Sequence, residues 1–97
     1  MQQSSKMTFR NLLSNSTINF AIQDVQSGNR DINSRFCNAE PNSSCEISAI
    51  RSYQYLVLAG IPADAPKHFA EKHGVLGSCT VTLNQYSGDY LINTICP

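Results

Sequence analysis

Charged side chains are scarce in this 97-residue chain, and the few that are present cancel. Only 14% of the residues are charged, against roughly 25% in ordinary soluble domains. Seven Lys and Arg residues balance seven Asp and Glu residues. Proteins that bind nucleic acids or anionic membranes through electrostatics carry a basic surplus. This chain has none, so we expect no nucleic-acid partner.

Long apolar runs and the spacings of common reactive sites are also missing. No segment approaches the roughly 20 apolar residues that cross a bilayer, so no membrane span is expected. No serine lies in a Gly-x-Ser-x-Gly elbow. The four cysteines do not form the closely spaced pairs that structural zinc prefers. We therefore expect neither a metal nor a cofactor.

Four cysteines are the clearest feature that the sequence does have. In a small chain rich in Asn and Ser they indicate two disulfides and an oxidising compartment. Cys37 and Cys45 are close in sequence, and the segment 38–44 between them has no apolar periodicity. This spacing predicts a Cys37–Cys45 disulfide that closes a stapled loop.

The N-terminal residues bear on localisation. Residues 1–6 are polar and contain no apolar signal region. We expect a secreted or periplasmic protein whose signal peptide has been removed. We also expect residues 1–6 to form a disordered tail before a single disulfide-stapled β domain over 7–97.

A second disulfide follows from counting along the C-terminal hairpin. If residues 87–88 form a two-residue turn, Tyr86 faces Asp89. Continuing that register sets Cys79 opposite Cys96, within the distance that a disulfide permits. The same register sets Leu83 opposite Ile92 and Val81 opposite Thr94. It places the apolar Val81, Leu83 and Ile92 on one face and the polar Thr80, Thr82 and Asn84 on the other. We therefore predict a Cys79–Cys96 disulfide.

Alternating apolar residues predict several short strands. Ile18, Phe20 and Ile22 share one face of the segment 17–25, a pattern typical of a half-buried strand. Turn residues at 13–16 favour a hairpin between this strand and the one before it. The other predicted strands are 7–12, 46–50, 53–58 (the most apolar, expected at the centre of a sheet), 75–85 and 90–96.

One segment carries helical signals. Asp64 can cap a helix, Pro66 is tolerated in a first turn, and Gly74 can end it. These signals predict a short helix over 64–73. The preferred fold is therefore all-β, a small antiparallel β-sandwich or barrel-like sheet pair with this one helix. The alternative is an α+β fold in which the helix docks on an antiparallel sheet.

His68, Glu71 and His73 are the candidate catalytic residues if the protein is an enzyme. A nuclease-like hydrolase needs a general base, a general acid and cations for the phosphate. These three residues are of the types that such chemistry needs, but their spacing matches no recognisable catalytic motif. On a helix, five positions would place the two histidines about 140° apart, unlike the four-residue spacing of zinc-binding helices. We favour two solvated histidines without a catalytic role.

Tyrosines near amide and hydroxyl side chains are typical of adaptable recognition surfaces. Tyr86 lies at the predicted tip of the C-terminal hairpin, where a side chain is least able to pack in the core. Tyr53 and Tyr55 are expected instead to pack on the sheet. The candidate binding residues are Tyr86, Tyr90, Asn84, Glu40 and Asn42.

These features favour a secreted, non-enzymatic binding module, effector-like or toxin-like, that docks a protein or a glycan. One alternative is the small secreted hydrolase. Another is a protease inhibitor that presents the 38–44 loop, with Pro41 and the disulfide preorganising it. Asn15 and Asn42 each begin an N-glycosylation sequon in a predicted loop.

Overall fold

The computed structural model describes residues 4–24, 35–62 and 68–96, which fold into two four-stranded β-sheets. Sheet A has the strand order β4-β1-β7-β8, and sheet B has the order β3-β2-β5-β6. The strands are β1 (Ser4–Asn11), β2 (Ile18–Asp24), β3 (Phe36–Ala39), β4 (Ser44–Ile50), β5 (Gln54–Gly60), β6 (His68–Leu76), β7 (Thr80–Tyr86) and β8 (Asp89–Ile95). The prediction of an all-β sandwich is confirmed.

The core lies between the two sheets and follows the alternation of the strands. Phe9 of sheet A and Phe20 of sheet B meet there, with their ring centroids 5.1 Å apart. Burial of each such side chain stabilises the fold by about 1.5–3 kcal/mol. The apolar strand β5 is central, between β2 and β6. Tyr55 is fully buried, and Tyr53 packs against the core from its margin, as expected.

One strand pairing is parallel, so sheet A is mixed. Residues 8–11 of β1 run alongside residues 80–83 of β7 in the same direction. The other pairings among the described strands are antiparallel. A short hairpin forces its two strands to be antiparallel. β1 and β7 are far apart in sequence, and the chain enters sheet B between them, so no turn fixes their direction.

The helix predicted over 64–73 is wrong for residues 68–73, which form the first part of β6; residues 63–67 lie outside the described chain. Ala70 and Glu71 pair with Ala59 and Leu58 of β5. This pairing satisfies main-chain groups of an apolar central strand and outweighs weak local helix signals. Gly74, expected to end the helix, has a positive φ of 71° inside a register irregularity of β6.

Two expectations for the N-terminal region are also wrong. The tail expected over 1–6 is contradicted for residues 4–6, because β1 begins at Ser4 and these residues pair with β4; residues 1–3 lie outside the described residues. β1 and β2 do not form a hairpin, because β1 lies in sheet A and β2 in sheet B. The connection over 12–17 crosses between the sheets and buries Leu13. The turn residues at 13–16 therefore belong to a connection between the sheets and not to a hairpin.

The C-terminal hairpin has the predicted register. Tyr86 faces Asp89, and the pairing continues without a bulge to Thr80 and Ile95. Ser87 and Gly88 both have positive φ angles, 50° and 85°, as a type I′ turn requires. The Cys79–Cys96 disulfide lies directly beyond the last strand pair, with a Cα–Cα distance of 4.3 Å.

The Cys37–Cys45 disulfide is also confirmed, but it does more than close a loop. Cys37 lies in β3 of sheet B and Cys45 in β4 of sheet A. Only residues 40–43 of the expected 38–44 loop lie outside strands. The disulfide therefore joins the two sheets at one lateral edge of the sandwich.

Asn11 joins the same sheets through hydrogen bonds. Among the described residues it is the one amide or charged side chain that is fully buried. Its Nδ2 donates to the carbonyl oxygens of Ser16 at 2.6 Å and Ala39 at 3.0 Å, and more weakly to that of Glu40 at 3.3 Å. Its Oδ1 accepts the Leu13 N–H at 2.9 Å. One amide thus fixes the crossing connection and the end of β3.

We expect Asn11→Asp to lower the free energy of unfolding by about 3 kcal/mol or more. A carboxylate cannot donate to the three carbonyls and would bury a charge beside them. Asn38→Asp is the matched control, because the Asn38 side chain is exposed and its Oδ1 accepts a hydrogen bond from Asn19 Nδ2, a role that a carboxylate oxygen can also fill. Its cost should stay within about 0.5 kcal/mol in a urea melt. Similar losses in the two variants would contradict the role given to Asn11.

Gly77 is fixed by a close approach of main chain. Its N–H donates to the Tyr53 carbonyl at 3.0 Å, and a Cβ atom there would lie 2.1 Å from the Ile50 carbonyl oxygen. Gly77→Ala must therefore displace the backbone, at a cost of about 2 kcal/mol or more. Gly74→Ala has open space and only its positive φ to oppose it, so about 1 kcal/mol is expected. A milder effect at Gly77 than at Gly74 in urea melts would refute this contact.

Candidate recognition surface

One end of the sandwich, which we call the hairpin end, gathers most of the predicted binding residues. β1 runs parallel to β7 and antiparallel to β4. The connection 12–17, the β3–β4 turn over 40–43 and the turn at 87–88 therefore lie at the same end. Glu40 and Asn42 are in the second of these segments, and Asn84 and Tyr86 precede the third.

Tyr86 is the most prominent side chain of this end. It is the last residue of β7 and is 56% exposed. Asn84, two positions earlier, lies on the same outer face of sheet A. Its Nδ2 donates to the Tyr86 hydroxyl at 3.3 Å, while its Oδ1 accepts the Gln85 N–H at 2.8 Å. The amide thus links the phenol to the main chain of β7.

Two exposed leucines flank Asn84. The Leu12 N–H donates to the Leu83 carbonyl at 3.0 Å, which continues the β1–β7 register and sets Leu12 beside Asn84. Leu91 faces Asn84 from β8. Leu12 is 40% exposed and Leu91 46%. We call Leu12, Asn84, Tyr86 and Leu91 the tip surface.

Sequence reasoning missed the two leucines. Both occupy solvent-facing positions of the alternation: Leu12, directly after β1, continues the outward phase of Arg10, and Leu91 of β8 shares the outward phase of Asn93. The sequence signal for these residues was an apolar side chain at a position where the strand alternation expects a polar one. It becomes informative only once the register shows that the two residues flank the same asparagine.

Tyr90, another predicted binding residue, lies elsewhere. It is on the inner side of β8, where its ring lies 4.1 Å, centroid to centroid, from the ring of Phe69 in β6. It is partly buried against the core. Tyr90 therefore closes the lateral edge between the two sheets and is not part of the tip surface.

Glu40 and Asn42 belong to a compact turn. The Ser43 N–H donates to the Glu40 carbonyl, and the Asn42 N–H donates to the Leu13 carbonyl, both at 3.0 Å. Asn42 has a left-handed φ of 58°. The side chains of Glu40 and Asn42 are exposed, whereas these main-chain groups are bonded within the protein and not presented to a protease.

The three candidate catalytic residues lie in β6 rather than on a helix. The His73 Nε2 and Glu71 Oε2 atoms are 3.1 Å apart, and both side chains are largely exposed. Residues two apart on a strand share a face, which brings this pair together. The main chain of His68 begins β6 opposite Gly60, five positions or about 16 Å of extended chain from His73.

An open groove of about 210 Å³ lies beside Glu71, lined by Leu58, Phe69 and Ala70. In the ranges 4–24, 35–62 and 68–96, no three His, Cys, Asp or Glu side chains are grouped in a way that could hold a metal ion. The same ranges contain no helix with the length and apolar character needed to span a membrane. The sequon residues Asn15 and Asn42 are both exposed at the hairpin end.

Comparison of the chain with protein-family models, with curated proteins and with solved structures finds no match.

Proposed function

We propose that the protein is a secreted, non-enzymatic binding module, of effector-like or toxin-like character, that docks a protein or a glycan through the tip surface. The observation that carries this proposal is the grouping of Leu12, Tyr86 and Leu91 around Asn84, all on one sheet face. Binding energy in interfaces concentrates in aromatic and apolar anchors with few charges at the centre. The tip surface has this composition.

The main chain beneath these side chains supports the proposal. The Leu12–Leu83 hydrogen bond and the two-residue turn at 87–88 hold the tip surface on paired strands. A tyrosine also presents a large contact area with few rotatable bonds. Preorganisation lowers the entropic cost of binding. Two disulfides are compatible with the oxidising compartment in which a secreted protein works.

A small hydrolase is the second candidate, supported by the Glu71–His73 contact beside the open groove. A carboxylate that orients a histidine is a common acid–base arrangement. Such groups gain most of their effect in sites shielded from water, whereas these two side chains are largely exposed. For this reason we place the binding module first.

The test uses the full chain on a printed glycan array and on a panel of purified extracellular proteins. For any ligand found, Leu12→Ser and Tyr86→Ser should each weaken binding by about tenfold or more, because each removes an apolar anchor. Leu76→Ser is the matched control. Leu76 has a similar exposure of 38% but lies in sheet B, at the end of the sandwich opposite the hairpin end.

If all three variants bind as well as the wild-type protein, the binding role proposed for the tip surface is wrong. The same holds if Leu76→Ser loses as much affinity as Leu12→Ser and Tyr86→Ser. Absence of a ligand, combined with a nuclease or esterase turnover that Glu71→Gln and His73→Ala abolish, would establish the hydrolase instead.

A further inference from the structure

The four edge strands of the sandwich are protected to very different degrees. An exposed edge offers free main-chain groups to another strand, and proteins block edges with bulges, charges or short strands. β6 has two register irregularities and the charges of Glu71 and Lys72. β3 has only four residues. On β4, Arg35 Nη1 donates to the Ser48 carbonyl at 3.3 Å.

β8 has almost none of these devices. It is seven residues long, pairs with β7 without a bulge, and has Asp89 as its only charge. Leu91 and Ile95, which share its outer face, are 46% and 66% exposed. No strand in the described part of the chain pairs with β8 on the side away from β7.

The hydrogen-bonding groups at this free edge can be assigned. Opposed residues of an antiparallel pair have Cα atoms about 4.5 Å apart where they are not hydrogen-bonded and about 5.5 Å apart where they are. The 4.3 Å separation of Cys79 and Cys96 marks a non-hydrogen-bonded pair. By alternation, Tyr90, Ile92 and Thr94 also direct their N–H and C=O groups away from β7. No described strand lies on this side of β8, so these groups can pair with an added strand.

We propose that β8 is a dimerisation edge that pairs, antiparallel, with β8 of a second copy of this chain about a two-fold axis through Asn93. Leu91 and Ile95 lie two positions to either side of Asn93 on the outer face. The axis therefore sets each leucine opposite the isoleucine of the other copy. Ile92 and Thr94 then exchange main-chain hydrogen bonds with Thr94 and Ile92 of the second copy.

Neighbouring registers fit less well. An axis through Ile92 would set Leu91 opposite Asn93 and Ile95 opposite Asp89. An axis through Thr94 would set Ile95 opposite Asn93. Each buries an apolar side chain against a polar one, whereas the Asn93 axis matches apolar with apolar. The edge is thus self-complementary in one register, as a closed two-fold interface requires.

The dimer would join the two A sheets into one eight-stranded sheet. A two-fold axis perpendicular to a sheet keeps its outer faces on one side, so both tip surfaces would face the same way. Two surfaces that engage together raise the apparent affinity without a new contact. This consequence rests on the proposed function, whereas the dimer itself does not.

Sedimentation equilibrium of the full chain tests the dimer. One added strand pairing makes a small interface, for which weak association is expected. The average mass should rise from the 10.7 kDa of one chain toward twice that value between about 10 µM and about 1 mM protein. A protein that remains monomeric across this range overturns the proposal, whether or not a glycan or protein ligand is found.

Two double variants test the register. Leu91→Lys with Ile95→Lys sets like charges opposite each other and should weaken association at least about tenfold. Leu91→Lys with Ile95→Glu sets opposite charges together and should retain the dimer, now weakened by salt. In the register through Ile92, the two-lysine variant would instead place a lysine opposite Asp89 and strengthen association.

Leu76→Lys, on β6, is the control and should dimerise like the wild-type protein. Urea melts of each variant establish that it folds, because all three substituted positions are exposed. Association of the two-lysine variant at the wild-type level would show that another surface is used and would overturn the proposal.

Discussion

The buried amide of Asn11 is the contact on which the crossing between the two sheets depends. The chain changes sheet after β1, β3, β4 and β6, and every change carries main-chain polar groups past the core, where an unpaired group is costly. At the hairpin end, the Asn11 amide donates hydrogen bonds to the Ser16 carbonyl in the connection 12–17 and to the Ala39 carbonyl at the end of β3. At the opposite end, the Ile50 N–H donates to the Tyr55 hydroxyl at 2.9 Å. The apolar core drives collapse, and these polar contacts tie particular connections to particular strand ends.

The parts of the fold that could be predicted from sequence are those in which local signals agree. In the C-terminal hairpin, the turn at 87–88, the apolar alternation and the spacing of Cys79 and Cys96 all give one register. Alternation also identified the buried face of β2. It gives a face but not a partner, so the parallel β1–β7 pairing and the change of sheet after β1 could not be predicted. Cys37 and Cys45 were paired by proximity, yet their role between sheets depends on long-range contacts.

The errors have a common physical origin. Asp64, Pro66 and Gly74 gave helix signals that are worth little against the need of β5 for a second neighbour in sheet B. In the tip surface, too, some residues could be identified from local sequence and others could not. Tyr86 and Asn84 could be identified because both precede a recognisable turn. Leu12 and Leu91 could not, because an exposed leucine has no meaning until its neighbours across the sheet are known.

The two lateral edges of the sandwich are closed by contacts of different kinds. Cys37 and Cys45 tie β3 to β4 covalently, and Phe69 stacks on Tyr90 between β6 and β8. At the covalent edge, β3 has only four residues and the Ser48 carbonyl of β4 accepts a hydrogen bond from Arg35. The aromatic contact packs side chains together, and no described strand pairs with β8 on the side away from β7. At the hairpin end, by contrast, the Leu12 and Asn42 N–H groups are bonded internally, so the binding that we propose there relies on the side chains of the tip surface. The two proposals therefore use different parts of sheet A: side chains at its hairpin end for binding, and main-chain groups along the β8 edge for dimerisation.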